Sequence, residues 1–283
     1  MFKIIDCISN SSPHAVVNED AIGATSAGAW VIDGATGVSD RPPLVTGMTD
    51  AAWLAGQLNA ELRATLDGTD VDLVQALTKV EANVQADFLA INRELSRPAG
   101  EQPSAALALA ALQGKTLHLI GIADCRIIYE THTGEIGVFD PSDGGAAEAL
   151  IIAERSRLVA EYPGEDPRRR LKGFIRTLRE RANQDGGYFV VHPTRAWSTR
   201  VKRQVHEVGK IRHLLLVSDG LYRVVDVFGV MTAAGLMQRA LAKELHQLCS
   251  ELRGLELADV DCTDHPRIKT HDDASALLVA LRE

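Results

Sequence analysis

Acidic residues stand at the ends of apolar runs in four places along this chain. Glu19-Asp20 precedes AIGA, Asp33-Gly34 follows AWVI, Asp219-Gly220 follows LLLVS, and Asp272-Asp273 precedes ASALLVAL. A strand end holds a carboxylate rigidly while its head group still faces a cleft, which is what a hard cation requires. Asp-Gly is also among the commonest turn dipeptides, so any one of these pairs alone marks no more than a turn. Taken together they say more, because several acids brought to one place repel one another and are costly to desolvate unless cations neutralise them. An oxygen-only ligand set points to magnesium or manganese rather than zinc or copper, which favour imidazole and thiolate groups that are not clustered here. Gly34 adds a backbone carbonyl that an ion can approach closely, since no side chain stands in the way.

The elements that must position these acids can be read from periodicity. FKIIDCI, AIGAT and AWVIDGATG are short apolar segments bounded by turn residues, and they predict strands. Trp53, Leu54, Leu58, Leu62 and Leu66 recur at helical spacing behind Thr49, a good N-cap, and Leu73, Leu77, Val80, Val84 and Phe88 repeat the pattern over about 70 to 92. SAALALAAL and TLHLIGIADCRIIYE, separated by Gln113-Gly114, predict a hairpin of two buried strands. From about 145 to 184 the chain reads as two helices broken at EYPGEDP, with Asp166 as a cap and Pro167 at the first helical position. GGYFVVHP, WSTRVKRQVHEV and IRHLLLVSDG predict strands again, followed by a helical stretch around 226 to 253 and a last strand, ASALLVALR. Strands and helices come in blocks rather than in strict βαβ alternation, which favours an α+β fold of stacked antiparallel sheets covered by helices.

Length and composition narrow the classes. The chain has 283 residues, 46% of them hydrophobic, enough for one large domain spanning 1–283 with a substantial core, and no repeat or linker divides it. A net charge of −8 repels polyanions, so no nucleic-acid partner is expected. Cys7, Cys125, Cys249 and Cys262 are scattered without a CxxC pair, as expected of buried thiols in a reducing compartment. No apolar stretch of about 18 residues and no signal-like N-terminus occurs, which predicts a cytoplasmic protein with no membrane association.

The ordered motifs NEDAIG (18–23), VIDGATG (31–37), IADCR (122–126), LLLVSDG (214–220) and DDASALLV (272–279) resemble the metal-dependent protein phosphatases of the protein phosphatase 2C family, and they span nearly the whole chain. The resemblance implies a four-layer α-β-β-α sandwich and a monomer that hydrolyses phosphoserine or phosphothreonine in proteins, with two Mn2+ or Mg2+ ions and a third, weaker divalent site. It implies that Glu19, Asp33 and the Gly34 carbonyl bind metal, with Asp33 bridging, while Asp219 and Asp272 hold the other ion from the opposite sheet. Asp124 would serve the third site, Asp20 would orient the attacking water, and Asp273 would be structural. Catalysis would then rest on Asp33, Asp219 and Asp20, using a water between two cations about 3.5 to 4 Å apart, with no protein nucleophile.

The sequence departs from the bacterial family pattern at several points. An arginine commonly found four residues before the metal-binding glutamate is Ala15 here, leaving His14 and Arg41 as candidate phosphate donors and small phosphoesters as open substrates. Ala35 replaces a histidine that can donate a proton, and the segment at about 140–205, with RRRLKGFIRTLRER, is divergent; its arginines read as a solvated helix face. An aspartyl-phosphate phosphatase would need an acid two residues before Asp33, where Val31 stands, and no GxGxxG follows a strand for dinucleotide binding. The non-catalytic alternative is a pseudophosphatase acting as a phospho-dependent binding or regulatory module. Retaining every metal-matching acid argues against it, because repelling carboxylates serve no scaffold.

Overall fold

Apolar runs without alternation, such as AWVI and AALALAAL, suit strands buried on both faces. The computed structural model, which describes every residue except His14, Thr69, Asp70 and Glu283, places these runs in the middle of a stack. In chain order the strands are β1 (Phe2–Asn10), β2 (Asp20–Ala24), β3 (Gly28–Gly34), β4 (Ala105–Gln113), β5 (Thr116–Ile122), β6 (Arg126–Thr131), β7 (Ile136–Phe139), β8 (Lys202–Glu207), β9 (Ile211–Val217) and β10 (Ala274–Leu281). The helices are α1 (Asp50–Thr65), α2 (Leu73–Leu95), α3 (Ala146–Glu161), α4 (Arg168–Arg179), α5 (Asp219–Asp226), α6 (Ala233–Leu241) and α7 (Leu245–Ala258). Two five-stranded sheets form, ordered β1-β10-β9-β6-β7 and β2-β3-β4-β5-β8, with every ladder antiparallel.

Three apolar layers hold four structural layers together. Trp30, Ile32, Leu107 and Leu109 face α1 and α2, meeting Leu54, Leu58 and Val84. On the opposite face of the same strands, Ala29, Val31, Ala106, Ala108 and Ala110 meet Leu216, Leu277 and Val279 of the second sheet. The alanines of β4 are therefore the small side of a two-faced strand, and they let the sheets approach closely. Leu215, Val217 and Leu278 turn outward onto Leu221, Leu236 and Leu248 of α5, α6 and α7. Removing one of these leucines, as in Leu107→Ala, would cost about 2–5 kcal/mol because a rigid core cannot collapse into the cavity.

The structure meets the expected α+β class and corrects several elements. The run TLHLIGIADCRIIYE is two strands, not one, and they lie in different sheets; the chain switches at Ala123, whose φ of 65° is left-handed. The segment 187–193 makes only isolated bridges, Ala182 with Tyr188 and Ala105 with Val191, because it meets β4 only at its first residue and extends no ladder. The helix expected from 226 begins at Asp219 and is three helices, and β7 is an additional short strand containing a glycine. Thr49 caps α1 by accepting from the Ala52 amide at 3.1 Å, and α2 starts behind Asp72 rather than at position 70, which lies outside the described residues. Cys7 is exposed while the other three thiols are buried. Among the described residues no helix is long and apolar enough to cross a membrane.

Candidate metal centre

The acids flagged by sequence come from both sheets and meet at one end of the stack. Asp20 and Asp33 face each other across the β2–β3 ladder. Glu19 immediately precedes β2, and its carbonyl accepts from the Gly34 amide at 3.1 Å. A Cβ on Gly34 would lie 2.6 Å from that carbonyl oxygen and 2.9 Å from the Ala51 oxygen, so only glycine fits. In the second sheet β9 and β10 are paired, and the Ser218 amide donates to the Ser275 carbonyl at 3.0 Å, which brings the first turn of α5, carrying Asp219, beside Asp272. Asp273 ties the two halves: its oxygens accept from the backbone amides of Ser12 and Glu19, each at 2.6 Å. Asp124 sits at the crossover from β5 to β6.

Gly220 is the tightest point of this assembly. A Cβ there would fall 1.8 Å from the Asp273 carbonyl oxygen, well inside any real contact. Gly220→Ala must therefore push the 272–273 backbone away. The expected result is a loss of roughly 1–3 kcal/mol of stability, from overpacking, together with weakened Mn2+ binding in calorimetry; unaltered metal affinity would show that the 272–273 backbone is free to adjust.

The gathered charge is only partly balanced by the protein. Both oxygens of Asp20 and Oδ1 of Asp219 are buried without a hydrogen-bond partner, a costly condition for a carboxylate. Burial, then repulsion from Asp272, Asp273 and Asp219, pushes the Asp20 carboxyl well above the usual range. Asp33 is pushed up in the same way, by burial and then by Asp20, Asp219 and Asp272. Asp124 rises to about 7, first from burial and then from Asp219 and Glu148 of α3. Burial also raises Glu19. Asp272 alone among them is lowered: burial works against its charge, but Lys269 and Arg223 outweigh it. The Lys269 Nζ stands 2.5 Å from Asp272 Oδ1, and the Arg223 Nη2 donates to Oδ2 at 2.7 Å, with Arg223 itself paired to buried Glu256 at 3.2 Å.

Hard divalent cations fit this donor set. Every candidate ligand is an oxygen; Asp219 Oδ1 is buried with no other partner, and so are both oxygens of Asp20 beside it. Among the described residues no three Asp, Glu, His or Cys side chains close on a single point as a finished ligand set; Asp272 in particular is turned to its protein cations. Glu19 Oε2 accepts from the Thr36 hydroxyl at 2.8 Å, and Thr36 in turn accepts from Lys269 at 2.9 Å.

The candidate phosphate donors fare differently. His14 lies outside the described residues. Arg41 is not brought to the acids: it is about half-exposed, pairs with Glu101 at 3.2 Å and donates to the Leu95 carbonyl at 3.3 Å, because the loop after Asp33 carries it away toward the end of α2. Arg41→Ala should change turnover by no more than about twofold, the scale of an exposed ion pair; a loss of an order of magnitude would restore Arg41 to the site.

The arginines of α4 are not simply a solvated face either. Arg176 donates to the Val38 carbonyl at 2.7 Å, and Arg179, buried, donates to the Thr36 carbonyl at 2.9 Å. The divergent segment thereby clamps the loop that follows Asp33. Sequence patterning passed over Arg179, Thr36, Lys269, Arg223 and Glu148. Only Lys269 left a signal, its position three residues before Asp272.

A family model described as protein phosphatase 2C matches residues 14–253. Among solved structures, the serine/threonine phosphatase PstP/Ppp of Mycobacterium tuberculosis aligns at a TM-score of 0.60 with 17% identity, covering 100% of this chain and 99% of that one. The catalytic domain of PstP in complex with two manganese ions aligns at 0.59 with 16% identity, over 100% and 98%. Stp1 of Staphylococcus aureus aligns at 0.52 with 16% identity, over 99% and 96%. At such identities the likeness is one of fold. No curated protein matches the sequence.

Proposed function

The chain belongs to the protein phosphatase 2C family and is a metal-dependent protein phosphatase; from that premise we propose that Glu19, Asp33, Gly34, Asp219 and Asp272 carry its hydrolysis of phosphoserine and phosphothreonine. The observation that supports this assignment is the convergence of acids from both sheets, with the buried oxygens of Asp20 and Asp219 left without partners. Two Mn2+ or Mg2+ ions fit there, and when bound such ions supply an activated water and a positive counterweight to the transferring phosphoryl group.

The chain's own residues do the positioning. Glu19, Asp33 and the Gly34 carbonyl would hold one side of the centre and Asp219 and Asp272 the other, with Asp124 at a weaker third position. Asp20, facing Asp33 across the ladder, would accept a hydrogen bond from the attacking water and aim its lone pair. Asp273 fixes the Glu19 backbone, and Arg179 and Arg176 fix the loop beyond Asp33. With Ala35 in place of a proton-donating histidine, protonation of the leaving oxygen would fall to water or another acid. The reading extends to one domain over 1–283, a monomer, and a cytoplasmic signalling role toward phosphorylated protein. The pseudophosphatase alternative gains no support, since every metal-matching acid is retained and gathered.

Turnover of p-nitrophenyl phosphate and of a phosphothreonine peptide, with Mn2+ and then with excess chelator, tests the reading. Metal-dependent release of phosphate is expected from both; no release with Mn2+, Mg2+ or any other divalent ion would sink it.

A further inference from the structure

Asp272 has no free oxygen. Oδ1 accepts from Lys269 Nζ at 2.5 Å and from the Asp273 amide at 3.0 Å, and Oδ2 accepts from Arg223 at 2.7 Å. Each oxygen already faces a protein cation, so a divalent ion that uses this carboxylate comes up against one of them. Arg223 is poorly placed to leave: it is buried and braced by Glu256, whose carboxylate is fully buried. Lys269 is different. Its side chain is 39% exposed, and its flexible stem can swing to solvent.

The position of Lys269 is built, not incidental. Arg267, 1% exposed, grips the same loop by donating to the Thr270 carbonyl at 3.2 Å and to Asp259 Oδ2 at 2.6 Å. On the other side His271 Nδ1 lies 2.8 Å from Glu256 Oε2. The loop is thus anchored at 267 and 271, and the ammonium it carries reaches both Asp272 and, through Thr36, Glu19. A single positive charge bridges a carboxylate from each side of the proposed centre.

We infer that Lys269 is an internal counter-ion of the acidic cluster, which divalent metal must displace from Asp272, so that this lysine sets the metal affinity. The inference rests on the proposed metal centre. Without it Arg223 would be the one protein cation on Asp272, and Glu19 would lose its link to a positive charge, so the ammonium stabilises the metal-free fold and raises the metal concentration needed to load it. The two cations compete for one carboxylate, and their coupling is reciprocal.

Titration calorimetry with Mn2+ alone on wild type, Lys269→Met and Lys269→Arg tests this. Lys269→Met should bind Mn2+ about tenfold more tightly, within the usual range for coupling between ligands, while Lys269→Arg, which keeps a competing cation, should stay within about threefold of wild type. Wild-type protein provides an independent measurement: amine-reactive labelling of Lys269, read by peptide mass spectrometry, should speed up several-fold when Mn2+ is added. That readout holds even if Lys269→Met folds poorly without metal. Equal Mn2+ affinity in all three proteins, or labelling of Lys269 that Mn2+ leaves unchanged or slows, overturns the inference while leaving the metal centre standing. No Mn2+ binding to any of them overturns both.

Discussion

Asp33→Asn is expected to lower manganese-dependent phosphate release by about a thousandfold or more and, at the same time, to raise the melting temperature of the metal-free protein. The two effects have opposite signs for one physical reason. Asp33 is pushed well above the usual carboxylate range by burial and by Asp20, Asp219 and Asp272. In the metal-free fold it must either hold its charge against that repulsion or take up a proton that the unfolded chain has released, and both cost free energy. Asparagine keeps the shape and removes the cost, so folding gains on the order of 1–3 kcal/mol. The same replacement deletes the charge that would bridge two cations. A purely structural aspartate gives the reverse pattern, lower stability with activity falling only in proportion. Phosphate release together with thermal unfolding in chelator separates the cases, and activity within tenfold of wild type, or a lower melting temperature, rules out the assigned role for Asp33.

How much of this site was legible beforehand depends on whether a residue carries local punctuation. Asp33, Asp219 and Asp272 announce themselves because each interrupts a buried apolar run, and a charge at such a boundary has few bland explanations once several occur together. Stacked sheets covered by helices were legible in the block order of strands and helices, whereas the division of β4 into a leucine face, Leu107 and Leu109, and an alanine face, Ala106, Ala108 and Ala110, emerges only in the structure. What sequence could not give was anything fixed by long-range contact. Arg179 reads as one more surface arginine, yet it is buried against the Thr36 carbonyl, 143 positions away. Arg223 lies one turn after Asp219, and only the fold brings it between Asp272 and Glu256. The switch of sheets at Ala123 was hidden because apolar residues continue on both sides of it, and hydrophobicity does not record which sheet a strand joins.

The second large effect is a stability that falls with rising pH in the metal-free protein and levels off when metal is bound. Asp20, Asp33 and Asp124 all have raised carboxyl pKa values, Asp124 at about 7. In each case the folded state binds a proton that the unfolded state has lost, so stability falls as pH rises from the ordinary carboxylate range through the folded value. Below about pH 6.5 histidines oppose this trend: burial lowers His192 to about 4 and also lowers His118 and His206, so their contribution to stability grows with pH until the unfolded chain's histidines are neutral. Asp272 is lowered, so its contribution is lost only in acid. The informative window is therefore pH 6.5 to 8, above the histidines and below the thiols, where the raised carboxyls dominate. Wherever a raised carboxyl still holds its proton, stability falls by up to about 1.4 kcal/mol per pH unit, so the melting temperature of the metal-free protein should fall across the window. Saturating Mn2+ should level the slope, because the ligands must be deprotonated to bind, so that neither the loaded fold nor the unfolded chain carries those protons. Asp33→Asn should flatten the metal-free slope by removing one of the protons. Thermal unfolding across that window in chelator and in Mn2+ decides it, and a metal-free curve that stays level or climbs would mean the carboxylates do not share one cluster.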